Sequence, residues 1–538
     1  MSLLNIMNIG KSALFTNQAA LNVTGHNIAN VNTPGYTRQS AVLKVAGPQE
    51  FAYGFLGRGV KVAYVRQSYS RFVETQLLGQ HQNFGKADVM TDVYSRVEQV
   101  FNSFTGSGLS NSLQAFFNSW NALSTDPASF AHRTVLLADA NNLIDVAKQM
   151  EGNLQKTISE IDKEIQNDTD RINAIAYDIA KLNKDIVRVE AGNSERRAND
   201  LRDSRNTLVT ELAGLVQLST LEDTNGSLTV LVGMRDLVSG AYVNEMTSGV
   251  DALGNVTIKI DNTEISSRIT KGELGGYLES RKAIEEGPLK ELRKFAAALT
   301  LEVNEIHNRG IGLDGYQGDF FSPLSVSVST TSVGASVSAA TVTNQSDLTL
   351  SEYDVTFSGG TWTVKNRDTG ATLNPASVTV TGNTIEFEGI SITVAGAIAN
   401  GDTFVVSPLT DAIGKFSMAI TNDKQIAAAY DPNSPGDNRN ALDMAQLAEQ
   451  LVGRLGGETF SRTYTKIVSM AGLLSSNSID MYKFESNLRA ELQSQRDAIS
   501  GVSIDEEAAN LLIYQRGFEA SARLITVADE LIQTVLNL

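Results

Sequence analysis

Between Leu154 and Val189, apolar residues return in alternating steps of four and three: Leu154, Ile158, Ile161, Ile165, Ile172, Ile175, Ile179, Leu182, Ile186 and Val189, with Asp168 interposed. That period fits an α-helix with one apolar seam, because a strand alternates every second residue and would scatter these side chains over both faces. Lys163, Glu164, Arg171, Lys181 and Lys184 occupy the other faces, as a long solvated helix requires. The stretch from Asn199 to Val216 also reads as helix and supplies a partner, so this seam is expected to close inside the molecule.

Two further stripes stand at the ends of the chain. The first puts Leu3, Met7, Gly10, Leu14, Asn17, Leu21, Thr24 and Ile28 on one helical line that breaks near Asn30. Asn32 and the turn Thr33-Pro34-Gly35-Tyr36 follow, with Pro34 fixing φ and Gly35 supplying the positive φ of a type II turn. The last helix opens at Ser503, whose hydroxyl caps an orphan N–H while Glu506 reaches back as its reciprocal partner. Asp505, Glu506 and Glu507 also suit the positive end of the helix dipole. Along this helix Ala508, Leu511, Tyr514, Phe518, Ala522, Ile525, Ala528, Leu531, Val535 and Leu538 recur at helical spacing.

Neither terminal stripe has a neighbouring element in the sequence able to cover it. An isolated helix is marginal in water, whereas each large apolar side chain fully buried contributes about 1.5–3 kcal/mol. The simplest cover is each helix for the other, with further copies of the chain over what remains. The candidate assembly interface is therefore Leu3, Met7, Leu14, Leu21 and Ile28 with Leu511, Phe518, Ala522, Ile525, Ala528, Leu531, Val535 and Leu538.

Between the ends, period-two segments are expected at Thr37 to Val45 and Val60 to Val65, and again at Leu228 to Val232 and Val256 to Ile260 after the Asn225-Gly226 turn. Helical spacing returns from Leu274 to Ile306. From Ser325 to Pro408 the composition shifts to Ser, Thr and Val, with hairpins at Tyr353–Val364 around Gly359-Gly360 and at Val378–Phe387 around Gly382-Asn383. Helices resume near Asn440.

These readings give a multidomain chain, mainly α with inserted β domains: a coiled-coil axial core from the terminal helices, a long helical bundle domain and an outer β-rich domain. The expected division is 1–50 and 501–538 for the axial core; 51–218, 273–322 and 411–500 for the helical domain; 219–272 for a small β section; and 323–410 for the inserted β domain.

Composition removes most chemistry. Lys plus Arg number 44 against 61 Asp plus Glu, a formal charge of −17 that opposes nucleic acid as a partner. With no cysteine, thiolate nucleophiles, thiolate metal sites and disulfides are impossible. His26, His81, His132 and His307 include no ligand-spaced pair, and 325–408 contains no histidine to serve a nucleophile. His307 reads as a surface or helix-end residue, and Asp314-Gly315 with Gly318-Asp319 as a turn. No catalytic, cofactor-binding or metal residue is assigned. The apolar runs are too short for a membrane span, and Met1 to Ile9 lack the basic n-region and cleavage site of a secretory signal.

The run Ser12-Ala13-Leu14, Gln18-Ala19-Ala20-Leu21, Val23-Thr24-Gly25, Asn27-Ile28-Ala29-Asn30 and Asn32 to Gln39 resembles the opening of the flagellar rod, hook and hook-associated proteins. Ala508-Ala509-Asn510-Leu511, Tyr514-Gln515 and Phe518 to Arg523 are similar to their closing helix. The central heptads, Asp203 to Leu212, Asn304-Glu305-Ile306-His307 with Gly310 and Gly315, and Gly401-Asp402-Thr403-Phe404 resemble the hook-associated branch. The resemblance implies a structural subunit without enzymatic activity, assembling as a junction ring between hook and filament. It implies passage unfolded through the flagellar type III channel with an uncleaved N-terminal signal, and an extracellular location on the flagellum. The partners it implies are like subunits, hook protein, hook-associated protein 3 and an export chaperone on the C-terminal helix.

If the stripes need a partner copy, amide exchange in dilute monomer is fast along both terminal helices, including Leu14 and Ile525. Slow exchange at those two residues would mean that the stripes are sealed without assembly.

Overall fold

The computed structural model describes residues 3–51, 54–102, 108–192, 197–431, 434 and 436–537, without the side chains of Leu3, Gln49 and Phe51. Helix α1 (Leu3–Ala29) ends where the asparagines break the stripe, and an antiparallel hairpin follows. Its strands are β1 (Gln39–Val45), β2 (Gln49–Phe51), β3 (Gly54–Leu56) and β4 (Val60–Gln67), with β1 on β4 and β2 on β3. The expected domain division at residue 50 falls inside this hairpin, whose two arms complete each other's backbone hydrogen bonds. Both β1 and β4, which ends at Gln67, pack against α1.

Helices α2 (Arg71–Asn102), α3 (Leu109–Thr125), α4 (Phe130–Glu190) and α5 (Asn199–Leu215) follow. The 61 residues of α4 make it the longest rod of the molecule, about 90 Å. Its heptad residues from Leu154 to Ile179, and Ile186, are buried, whereas Leu182 is half-buried and Val189 exposed. The seam shifts because the cover changes from helices to sheet. There Asn183 turns inward, donating to the Leu228 and Gly240 carbonyls at 2.7 and 2.8 Å and accepting from the Leu228 N–H at 3.1 Å.

That sheet is the meander β5 (Leu218–Glu222), β6 (Leu228–Val232), β7 (Arg235–Ser239) and β8 (Tyr242–Val243). Beside it lies a three-stranded sheet of β9 (Met246–Val250), β10 (Val256–Ile260) and β11 (Thr263–Glu264). The helical spacing from Leu274 to Ile306 is realised as two helices, α6 (Gly272–Ile284) and α7 (Lys290–His307), joined by a π-helical turn over Glu285–Leu289. Pro288 has no N–H to give and would collide with the preceding turn, so Gly287 leaves helical geometry to admit it.

The β domain comprises β12 (Ser327–Thr330), β13 (Ala335–Val342), β14 (Tyr353–Ser358), β15 (Thr361–Asn366), β16 (Val378–Thr381), β17 (Thr384–Phe387), β18 (Ile390–Gly396) and β19 (Thr403–Ser407). They form two four-stranded antiparallel sheets, ordered β12-β19-β14-β15 and β13-β18-β17-β16. The two hairpins marked in the sequence are β14–β15 and β16–β17. Tyr353 on one sheet meets Phe387 on the other edge-on, ring centres 5.1 Å apart.

The chain returns through α8 (Arg439–Gln446), α9 (Phe460–Ser500) and α10 (Ile504–Leu536). Helix α9 runs antiparallel along α2: Thr91 donates to the Ser478 carbonyl at 3.0 Å, Gln80 to that of Glu485 at 2.9 Å, and Arg496 pairs with Glu74 at 3.4 Å. These two helices make a stem between the axial helices and the main helical core.

That core is aromatic where α3, α7 and α9 converge. Phe116, Trp120, Phe295, Phe320, Phe321 and Phe460 are fully buried, with Phe320 and Phe321 ring centres 4.8 Å apart. His307 lies within it at the end of α7, fully buried rather than at the surface. Its Nδ1 donates to the Gly318 carbonyl at 2.6 Å and its Nε2 accepts from the Ala427 N–H at 3.0 Å, which fixes the neutral tautomer. Burial holds its pKa down at about 4. The guanidinium of buried Arg133 gathers the carbonyls of Pro127, Asp423 and Ile426 at 2.7–3.0 Å.

Asp168 occupies an apolar position of the α4 seam at 8% exposure, and its Oδ2 has no hydrogen-bond partner among the described residues. Burial, then the charges of Glu273 and Glu164, push its carboxyl up to about 7. A carboxyl raised from 3.8 in the folded state favours folding fully below that value and loses the contribution as pH rises through 7. Asp168→Asn is therefore expected to stabilise the protein by about 1–3 kcal/mol at pH 8 and by less at pH 5. Melting temperatures of wild type and variant at the two pH values measure it, and an equal shift at both would contradict a buried charge.

Candidate assembly interface

Small residues decide how the two terminal helices meet. Helices α1 and α10 run antiparallel, with Gly10 against Ile525 and Asn17 against Gly517 and Ser521. A Cβ on Gly10 would stand 2.8 Å from Cγ1 of Ile525, and one on Gly517 would stand 2.9 Å from Oδ1 of Asn17. Asn17 Nδ2 donates to Ser521 Oγ at 3.4 Å, and Ser521 and Ala528 are buried in the seam. The apolar stripe residues Met7, Leu14, Leu21, Ile28, Leu511, Phe518, Ala522 and Ile525 are half-buried along it.

Two members of the expected stripe leave this seam. Leu531 and Val535 are 46% and 61% exposed, and Ile532 is the half-buried residue of that turn. A straight helix of 3.6 residues per turn drifts away from a strict alternation of four and three, so the inward position moves by one residue towards the end. Leu538 and the side chain of Leu3 lie outside the described residues.

A second buried face of α1, absent from the stripe, carries Thr16, Ala20 and Asn27 against the β1–β4 hairpin. Thr16 Oγ1 donates to the Val60 carbonyl at 3.3 Å. Asn27 works as a bracket: its Nδ2 donates to the Gln39 carbonyl at 2.8 Å, and its Oδ1 accepts from the Gln39 N–H at 3.0 Å and the Tyr36 hydroxyl at 2.8 Å. Apolar periodicity does not mark this face, whose signature is the small and polar residues at 16, 20 and 27.

The turn after α1 is built as its residues require. The Tyr36 N–H reaches the Thr33 carbonyl at 3.2 Å and Gly35 has φ +78°. Asn30 closes the helix by donating to the His26 carbonyl at 3.0 Å and accepting from Thr33 Oγ1 at 3.1 Å, while Pro34 is exposed. From this turn the chain is tied to the helical domain. Asp203 on α5 accepts from the Thr37 N–H at 3.0 Å and from Gln67 Nε2 at 2.8 Å, and burial pushes its carboxyl up to about 6 despite those donors. Tyr36 is held well above its ordinary value by burial and by Asp200, Asp203 and Glu507 around it.

The two ends of the axial unit also meet here. The Arg38 N–H donates to the Ser500 carbonyl at 2.9 Å, and its guanidinium pairs with Glu506 at 2.6 Å. Ser503 Oγ accepts from the Glu506 N–H at 3.4 Å, as a cap. The Glu506 carboxylate, expected to reach back to Ser503, goes to Arg38 instead: a charged partner outcompetes a neutral N–H.

Pairing leaves the outward faces bare. Leu4 and Phe15 on α1 are 59% and 66% exposed, and Leu512, Ile513, Val527 and Leu536 on α10 are 55%, 63%, 51% and 78% exposed. Apolar surface of this extent along two joined helices marks an interaction site.

Gly10→Leu would force α10 off α1, weakening the pair by about 1–3 kcal/mol. Limited proteolysis of assembled protein should then cut both ends faster while the melting temperature of the helical domain holds. Unchanged cleavage would mean that the helices do not lie this close.

Residues 94–321 match a family model for the helical domain of flagellar hook-associated protein FlgK, and residues 326–408 one for the D2-like domain of flagellar hook-associated protein 1. Residues 7–37 match the flagella basal body rod protein model, and 493–538 that of the flagellar basal body rod FlgEFG protein C-terminus. Flagellar hook-associated protein 1 of Salmonella typhimurium is 31% identical, over 99% of this chain and all of the relative. The Escherichia coli K12 protein of the same name is 27% identical over 99% of this chain and all of its own length. Among solved structures, the flagellar hook junction protein FlgK from Burkholderia pseudomallei shares the fold, with a TM-score of 0.66 at 17% identity, over 79% of this chain and all of that one.

Proposed function

The chain belongs to the flagellar hook-associated protein 1 family, and we propose that it closes a ring of like subunits between hook and filament through the bare outward faces of α1 and α10. It is a structural protein of the hook–filament junction. The observation that carries the ring is that the terminal helices, though paired, keep Phe15, Ile513 and Val527 more than half exposed. One seam is used within the chain; the others are free for neighbouring copies, for hook protein on one side and for hook-associated protein 3 on the other.

Before assembly the same surface needs cover. An export chaperone laid along α10 would shelter Leu524, Val527, Leu531 and Val535, which lie exposed on its outward side. In this reading the chain leaves the cell unfolded through the type III channel, with its N-terminal segment as an uncleaved signal, and folds outside. The absence of cysteine is compatible with that route. The protein makes and breaks no bond; it transmits torque between a bending hook and a stiffer filament.

Val527→Asp tests the interface without touching the fold, since a 51% exposed position tolerates charge within about 0.5 kcal/mol. The variant should fold with an unchanged melting temperature yet leave hooks without filaments and flagellin monomer in the medium. Normal filaments on that variant would defeat the reading.

A further inference from the structure

Where β4 leads into α2, arginines gather against the composition of the chain. Arg66 stands near the end of β4, Arg71 opens α2, Arg197 precedes α5, and Arg202 and Arg205 lie three residues apart on one face of α5. In a protein with 61 acidic and 44 basic side chains, this is a local reversal of charge. The five line two hollows of about 480 and 510 Å³. Because the hollows share Tyr69, Arg205, Asn206 and Glu222, they form one groove between β4, α2 and α5.

Few carboxylates answer these guanidiniums. Glu190 pairs with Arg202 at 2.7 Å and with Arg197 at 3.7 Å, and Glu222 holds Arg202 and, at 3.1 Å, Arg205. Glu74, the other acid of the wall, is taken by Arg496 of α9 at 3.4 Å. Arg66 and Arg71 are exposed and enter no ion pair among the described residues. Arg205 is 2% exposed, yet its Nε has no hydrogen-bond partner among the described residues. Five guanidiniums thus share Glu190 and Glu222, and the groove is left positive.

We propose that this groove binds an acidic peptide segment of a partner protein, whose carboxylates pair with Arg66, Arg71 and Arg197. Carboxylate is the anion that the site is already built around: Arg202 grips Glu190 with Nε and Nη2 at 2.7 and 2.9 Å, a two-pronged geometry. An extended chain fits better than a compact anion, because the unpaired guanidiniums are spread along the groove, Arg66 in one hollow and Arg71 in the other. No residue of α1 or α10 lines either hollow, so occupancy does not depend on the ring. Once seated, the peptide ties β4, which packs on α1, to α2 and α5 of the helical domain.

The test is the anisotropy of fluorescein-labelled hexaglutamate titrated with the full-length chain at fixed ionic strength, with hexaglutamine as the uncharged control. The wild type is expected to bind hexaglutamate saturably, and the double variant Arg66→Gln/Arg71→Gln about tenfold more weakly. Both positions are exposed, so its melting temperature should not change. A second double variant, Lys156→Gln/Lys483→Gln, removes the same charge at exposed sites outside the groove and should bind like the wild type. Equal loss in the two variants would mean attraction to charge at large and overturn the groove as a site. Wild-type binding no stronger for hexaglutamate than for hexaglutamine would overturn it as well. If citrate displaces hexaglutamate at equal carboxylate concentration, the occupant is a compact polycarboxylate and the peptide assignment falls.

Discussion

The close approach of α1 and α10 through Gly10, Asn17, Gly517 and Ser521 is the constraint from which the rest of the architecture follows. It joins the first and last helices of a 538-residue chain into one unit. Everything between must leave that unit and come back to the same place, which it does where Arg38 meets Ser500 and Glu506. The outer domains thus hang from the axial pair by a narrow neck. A wider side chain at the seam would separate the ends of the chain and loosen that neck with them.

The neck is held by polar contacts, whereas the centre of the helical domain is packed with aromatic rings. Asp203, Arg496 and the Asn27 bracket hold backbone groups of residues 35–39 through directed hydrogen bonds. Such bonds fix orientation but contribute modestly to stability, about 0.5–1.5 kcal/mol each. The helical domain is held differently, by close-packed aromatic rings and by His307 and Arg133, whose polar atoms tie the 423–427 strip to the core.

Much of this was legible in the sequence, for a local reason. The α4 heptads, the α10 cap and the two β-domain hairpins are written in residues a few positions apart, and so are the two terminal stripes. What escaped reading is set by distant partners. Asn27 and Asp203 are buried polar residues whose roles depend on segments 12 and 166 residues away, so nothing beside them signals their use. Glu506 has the spacing of a capping box, yet Arg38 from the other end of the chain takes it. The exchange of Leu531 for Ile532 reflects helical drift, which accumulates with length and cannot be seen in one turn. The strands β7 to β9 are short, with too little alternation to register.

The pairing of α2 with α9 bears on when the protein can fold at all. Gln80 and Glu485 lie 405 residues apart, so the stem cannot form until nearly the whole polypeptide is present in one compartment. Contacts of such separation carry a large loop-closure cost and make folding slow. A chain built from its N-terminal end therefore holds α2 without its mate until its last helices are made. Topology itself delays the stem and the axial pair, which close only when the last helices arrive.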